Sequence, residues 1–245
     1  FNQRDLNCLS DPDKNTRKRT LERINTDLVA ISKGNDAVAE DVVKQFHASL
    51  FPLLLKGFKD NTEKCRELSV SILSKFIHRI IEMDDVAEPT VRAVRERLTS
   101  QPPEESEEVR LAMLQLLLSI LTQLPSIIPK IIPEISIIVD RGAQDKFPDA
   151  KKTASDIAIF LAEQGALPPP AQGPWGPDTY NTLREQSPIM IRAFLANLSH
   201  QQQRIRLSAL QAVGALVPRS DGKLLGDTMA VLARLGLDRT HQVRE

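Results

Sequence analysis

Apolar residues recur along this chain at intervals of three and four. Leu21, Ile24, Leu28 and Ile31 form one such stripe, Leu68, Ile72, Phe76 and Ile80 a second, and Met113, Leu117, Ile120 and Leu124 a third. That interval puts each set on one face of an α-helix. A helical pattern precedes each polar turn: Val42, Phe46, Leu50, Leu53 and Leu54 in the second instance, Phe194, Leu195 and Leu198 in the fifth. The pattern predicts a series of hairpins, each with a first helix, a polar turn and a second helix. Strand-like alternation is hard to find, so the expected class is all-α.

The turns repeat as well. A polar or acidic residue is followed six positions later by a base that opens the second helix: Asp11 and Arg17, Asp60 and Arg66, Glu104 and Arg110, Asp145 and Lys151, His200 and Arg206, Asp238 and Arg244. Successive bases lie 49, 44, 41, 55 and 38 residues apart, bracketing the roughly 40–47 of HEAT and armadillo units. One hairpin buries too little apolar surface to offset its own ordering entropy, so neighbours must stack on a shared core. The expectation is a HEAT-type α-solenoid of about six helical-hairpin repeats, forming one curved array across residues 1–245. The units fall near 1–34, 35–82, 83–124, 125–166, 180–218 and 219–245, the last one truncated. Phe1 falls inside a helical pattern and Glu245 just after another begins, as expected of cuts in a longer array.

In such a stack the twelve turn residues read as an internal ladder. The acid sits where a helix N-terminus offers unpaired N–H groups, and acid and base can pair between neighbouring units. The rival reading is a row of arginines that contacts an acidic partner. A proline-rich stretch at 167–179 breaks the rhythm and reads as an inserted loop. It carries the sole tryptophan, Trp175, and the sole tyrosine, Tyr180, follows closely. These two are candidates for partner binding through an aromatic and proline element; a connector packed on the solenoid edge is the plainer alternative.

Composition narrows the function classes. Hydrophobic residues make up 41% and charged residues 26% of 245, ordinary for a folded chain. Lys plus Arg and Asp plus Glu number 32 each, so no global field draws nucleic acid or an anionic membrane. The basic run Lys14-Asn15-Thr16-Arg17-Lys18-Arg19 lacks an aromatic platform and reads as a solvated helix start. Glu104, Glu105, Glu107 and Glu108 precede a second helix, where negative charge favours the positive helix end. Cys8 and Cys65 form no C-x-x-C pair, and so few cysteines fit a reducing compartment. The apolar run at 127–139 is too short to span a bilayer and contains Pro129, Lys130, Pro133 and Glu134. His47, His78, His200 and His241 are scattered without a second ligand at metal spacing. Gly222-Lys223 lacks the upstream glycine of a phosphate loop, and Asp221-Gly222 reads as a turn. No catalytic residue, metal, cofactor or small-molecule substrate is expected.

Several stretches carry more than a generic repeat signal. They are Leu9-Ser10-Asp11-Pro12; Cys65-Arg66-Glu67-Leu68-Ser69-Val70; Pro102-Pro103-Glu104 with Glu107-Glu108-Val109-Arg110-Leu111-Ala112 and Gln115-Leu116-Leu117; and Ser199-His200-Gln201 leading to Ile205-Arg206. With Gly214-Ala215, Gly222-Lys223 and Gln242-Val243-Arg244, their order resembles the N-terminal HEAT-repeat segment of the dynein axonemal assembly factor five family. The likeness departs in the proline-rich insert. It implies a cytoplasmic, non-enzymatic factor that preassembles axonemal dynein arms. The implied partners are dynein intermediate and heavy chains, other assembly factors and chaperones. A scaffold or transport adaptor for another complex shares every physical feature above, and a regulatory arm of an enzyme is a more distant alternative.

Overall fold

Most of the described positions of the predicted stripes lie on the buried faces of helices. The computed structural model describes residues 2–32, 36–81, 85–165, 176–220, 226, 228–230, 233, 236, 238 and 240–244, with side chains at 30–32, 36–39 and 244 outside that description. The chain divides into two compact units, Phe1–Leu124 and Pro125–Glu245, the boundary falling between the third and fourth expected repeats.

The first unit holds α1 (Gln3–Cys8), α2 (Lys14–Ser32), α3 (Asp36–Gln45), a π-helical turn (Phe46–Leu50), α4 (Phe51–Gly57), α5 (Glu63–Ile80), α6 (Ala87–Leu98) and α7 (Glu107–Gln123). The second helices α2, α5 and α7 pack in succession, and each leans on the first helix of its own hairpin. Leu21, Ile24 and Leu28 of α2, Leu68, Ile72, Phe76 and Ile80 of α5, and Met113, Leu117 and Ile120 of α7 are all buried. The rings of Phe46 and Phe76 stack with centroids 4.4 Å apart, joining the two helices of the second hairpin. The π turn ends two residues before Pro52. A proline has no N–H to return to the carbonyl four residues back and crowds it, and a local widening of the helix relieves both problems.

The second unit holds α8 (Ile128–Ala143), α9 (Pro148–Gln164), α10 (Pro177–Leu195), α11 (Gln203–Leu216) and α12 (His241–Arg244), with short 3-10 turns at Ala196–Ser199 and Val217–Arg219. First helices α8 and α10 pack together, as do second helices α9 and α11. The apolar run at 127–139 is α8, which buries Ile128, Ile131, Ile132, Ile135, Ile138 and Val139. Ser136 Oγ donates to Gln186 Oε1 at 2.7 Å and so ties α8 to α10. Among the described residues no single helix is long and apolar enough to cross a membrane.

The insert ends earlier than its pattern indicates. Helix α10 starts at Pro177 with Gly176 as its cap, so 177–179 belong to the first helical turn. A proline at that position has a preset φ and loses a donor that would be unpaired anyway. Trp175 and the pair Asp221-Gly222 lie outside the described residues.

Gly57 marks the closest approach of the two helices in the second hairpin: a β-carbon there would meet Ser69 Oγ at 2.3 Å and Ser69 Cβ at 3.0 Å. Ser69 is buried and its hydroxyl is held by the Cys65 carbonyl at 2.8 Å. Gly57→Ala is expected to lower unfolding stability by about 1–3 kcal/mol through overpacking, measured by urea denaturation. Ser69→Ala combined with it should recover part of the loss.

Candidate functional site

The turns between first and second helices share one local geometry. In each, the residue six before the base accepts, through its side chain, the backbone N–H two residues on. Asp13 N–H reaches Asp11 Oδ1 at 2.8 Å, Thr62 N–H reaches Asp60 Oδ1 at 2.8 Å and Ser106 N–H reaches Glu104 Oε1 at 3.1 Å. Phe147 N–H reaches Asp145 Oδ1 at 2.8 Å, Gln202 N–H reaches His200 Nδ1 at 3.1 Å and Thr240 N–H reaches Asp238 Oδ1 at 2.8 Å. The side chain thus mimics a backbone turn and satisfies a donor near the helix start.

The base six residues later turns back over the same loop. Arg17 Nη1 donates to the Asp11 carbonyl at 2.8 Å, Arg66 Nη1 to that of Asp60 at 2.8 Å, Arg110 Nη1 to that of Glu104 at 2.9 Å, and Arg206 Nη1 to that of His200 at 2.9 Å. The interval of six is therefore set by an arginine reaching a backbone oxygen. In Arg17, Arg66 and Arg206 the rest of the guanidinium points to the next repeat. Arg17 grips Asp60 through Nε at 2.6 Å and Nη2 at 2.9 Å. Arg66 grips Glu104 through Nε and, at 2.7 Å, Nη2. In the second unit Arg206 grips Asp238 at 2.7 and 2.9 Å. Thr62 and Thr240, each two residues after the aspartate, add a hydroxyl acceptor at 3.5 and 3.0 Å. Such parallel two-point pairs are the strong form of the carboxylate–guanidinium bond.

These groups are withdrawn from solvent. The Glu104 side chain is fully buried, and Arg206 is 5% exposed. Burial opposes ionisation of Asp60 and Glu104. The arginine forks and the N–H groups of Thr62 and Ser106 outweigh it and hold both carboxyls below their usual range. The Arg206 fork, aided by the Thr240 N–H, lowers Asp238 to about 2. The acidic stretch at 104–108 therefore divides: Glu104 turns inward, while Glu105, Glu107 and Glu108 stay exposed and Ser106 Oγ caps the Val109 N–H at 3.4 Å.

One junction is built differently. Where the acid is replaced by His200, the preceding base is Lys151, and its ammonium donates to the Ala143 carbonyl and to Asn197 Oδ1, each at 2.8 Å. The Asn197 amide donates to the same carbonyl at 2.7 Å. A point charge with three donors suits two separate oxygens, whereas a planar fork suits a carboxylate. Burial lowers the pKa of Lys151, against the opposing pull of Asp145. Sequence pattern alone singles out neither Asn197 nor Arg97, whose Nε donates to Glu104 Oε2 at 2.8 Å. The coincidence of lysine with histidine at one junction is the signal for the first. For the second, only an arginine in the last turn of α6 shows in the sequence.

The Arg244 side chain lies outside the described residues. Lys18 pairs with Glu22 at 3.7 Å along α2. Tyr180 is half-buried in the first turn of α10. Among the described residues no cluster of three metal-type ligands is present.

Two outcomes are expected. Asp60, Glu104 and Asp238 bind protons less readily folded than unfolded, so their contribution is complete above the unfolded carboxyl pKa of about 4. It is lost as pH falls toward their depressed folded values, about 2 for Asp238. The urea midpoint should therefore drop steeply from pH 5 to pH 2, and a flat profile would contradict this. Secondly, Asn197→Leu deprives a half-buried ammonium of an acceptor and should cost about 1–3 kcal/mol, whereas the pair Lys151→Met with Asn197→Leu should recover most of it. Equilibrium denaturation of the three variants measures both.

Comparison with known proteins places the whole chain. Residues 8–245 match the family model described as dynein axonemal assembly factor 5-like, TPR repeats. The chain is 28% identical to Dynein axonemal assembly factor 5 of Xenopus laevis over 99% of its own length and 27% of the relative's. It is 26% identical to that of Homo sapiens over 80% and 22%. It thus spans about a quarter of the curated relatives it matches. Among solved structures, a chain of the complex of Kap95p with RanGDP superposes with a TM-score of 0.64 at 14% identity, covering 96% of this chain and 28% of that one. A designed armadillo repeat protein superposes at 0.55 and 16% identity, covering 98% and 94%. These likenesses carry the fold, an all-α repeat of the armadillo and HEAT kind, whose spacing here exceeds the 34 residues of tetratricopeptide units. The chain belongs to the dynein axonemal assembly factor 5-like family.

Proposed function

We propose that this chain is a non-enzymatic docking segment of a cytoplasmic factor that preassembles axonemal dynein arms. In this reading stacked hairpins offer broad helical surfaces to dynein intermediate and heavy chains, together with other assembly factors and chaperones. The observation that carries it is the family match over residues 8–245. The geometry supports the same class. Repeat arrays bind through extended surfaces and not through one pocket. Arg17, Arg66 and Arg206 are committed to carboxylates and carbonyls of this chain, which favours an internal ladder over a row of partner contacts. The exposed helix faces and the segment around Trp175 and Tyr180 then remain as places for a partner. A transport adaptor is the second reading, favoured only by the fold likeness to the Kap95p complex.

Affinity capture from the cytoplasm of ciliating cells, with the full-length protein and a version lacking 8–245, separates these readings. Dynein heavy and intermediate chains should be enriched by the full-length protein and at least about tenfold less by the deletion. Equal recovery, or capture of a Ran-type GTPase in place of dynein chains, would overturn the proposal.

A further inference from the structure

In the turn between α6 and α7 two guanidiniums meet one buried carboxylate: Arg66 and Arg97 both bind Glu104, with side chains 10%, 12% and 0% exposed, while Glu105, Glu107 and Glu108 stay exposed. Beside the Arg97 guanidinium stands Ser100. Arg97 Nη1 donates to Ser100 Oγ at 2.6 Å, and the hydroxyl faces the carbonyls of Arg97 at 2.8 Å and Pro102 at 3.0 Å. Ser100 is half-buried at the mouth of the loop that follows α6.

The sequence leading into it is Arg95-Glu96-Arg97-Leu98-Thr99-Ser100, with arginines five and three residues before the hydroxyl. Protein kinases select substrates by charge patterns of this kind. Thr20, Thr26, Ser69 and Ser187 also have an arginine three residues earlier, but Thr20, Ser69 and Ser187 are buried, and the exposed Thr26 has Leu21 five residues earlier in place of an arginine. Ser100 combines the pattern with access and with a cation already in place. A phosphoryl group brings nearly two negative charges and three acceptor oxygens, and arginine forks bind it at two points.

We infer that Ser100 is a phosphorylation site for an arginine-directed serine kinase and that Arg97 captures the resulting phosphate. In the transfer, Ser100 Oγ attacks the γ-phosphorus of a nucleoside triphosphate. The Oγ–P bond forms, the bond from that phosphorus to the oxygen bridging to the β-phosphate breaks, the nucleoside diphosphate leaves, and the hydroxyl proton passes to the kinase's base. Presentation of residues 95–100 to the kinase requires the last turn of α6 to open, and helix ends are among the least stable parts of a fold. The phosphate then competes with Glu104 for Arg97, leaving the Arg66 fork as the bond between the second and third repeats.

The experiment uses the whole chain with a purified kinase that requires arginine at −3 and −5, ATP, and site mapping by mass spectrometry. Phosphate should appear at Ser100, be absent in Ser100→Ala, and fall at least about tenfold in Arg95→Ala. Arg95 side-chain removal leaves the Glu104 cluster intact, and circular dichroism verifies that each variant is folded. Modification confined to other residues, or equal modification of Arg95→Ala, would overturn the site. The capture is read separately by phosphorus NMR. The second ionisation of the phosphoserine should lie below that of the isolated phosphopeptide 95–106, near pH 6. A midpoint equal to or above the peptide's would overturn the capture.

Discussion

An arginine at the start of a second helix has five N–H donors to satisfy in a place largely closed to water. Its own turn supplies a backbone carbonyl six residues earlier, as Asp11 does for Arg17 and His200 for Arg206. The remaining donors form a flat fork aimed at the adjacent repeat, and a carboxylate is the acceptor that fits it in charge and shape. Asp60 and Asp238 meet that need while also closing their own turns through the N–H groups of Thr62 and Thr240. One residue type thus links the local turn to the register of neighbouring hairpins.

Stability itself resides elsewhere. Apolar stripes on α2, α5 and α7, and on α8 through α11, are removed from water almost completely, and area of that kind dominates folding free energy. A buried ion pair contributes little net energy once desolvation is counted, but losing one partner is costly. The ladder therefore acts against misregistered stacking, which would leave a guanidinium without its acceptor. Lys151, Asn197 and Ala143 perform the same task with a point charge and two oxygens.

The helical class was legible because apolar positions keep the helical interval for whole helices, and the repeat because each turn reuses a polar or acidic residue and a base six apart. What the interval meant physically was not legible. It records a side chain bonding to a carbonyl, and carbonyls have no sequence. Arg97 and Asn197 were hidden for a related reason, since each serves one junction only and leaves no periodic trace. Pro177 belongs to a helix start although it ends a run of loop-forming residues, because a proline before a helix and a proline in a loop look alike in sequence. The Asp60-Asn61-Thr62 and Asp238-Arg239-Thr240 triplets did carry a readable signal, the hydroxyl that completes the arginine site.

The chain belongs to the dynein axonemal assembly factor 5-like family, and its forks divide its arginines into those bonded within the chain, Arg17, Arg66 and Arg206, and the rest. That division depends on the forks acting between repeats inside the protein. A double-mutant cycle on Arg17 and Asp60, using Arg17→Met and Asp60→Asn to keep the turn acceptor, measures it by chemical denaturation. The account predicts a coupling energy of about 2 kcal/mol or more, as for a desolvated two-point pair. A coupling within about 0.5 kcal/mol of zero, the behaviour of a solvated surface pair, would contradict it.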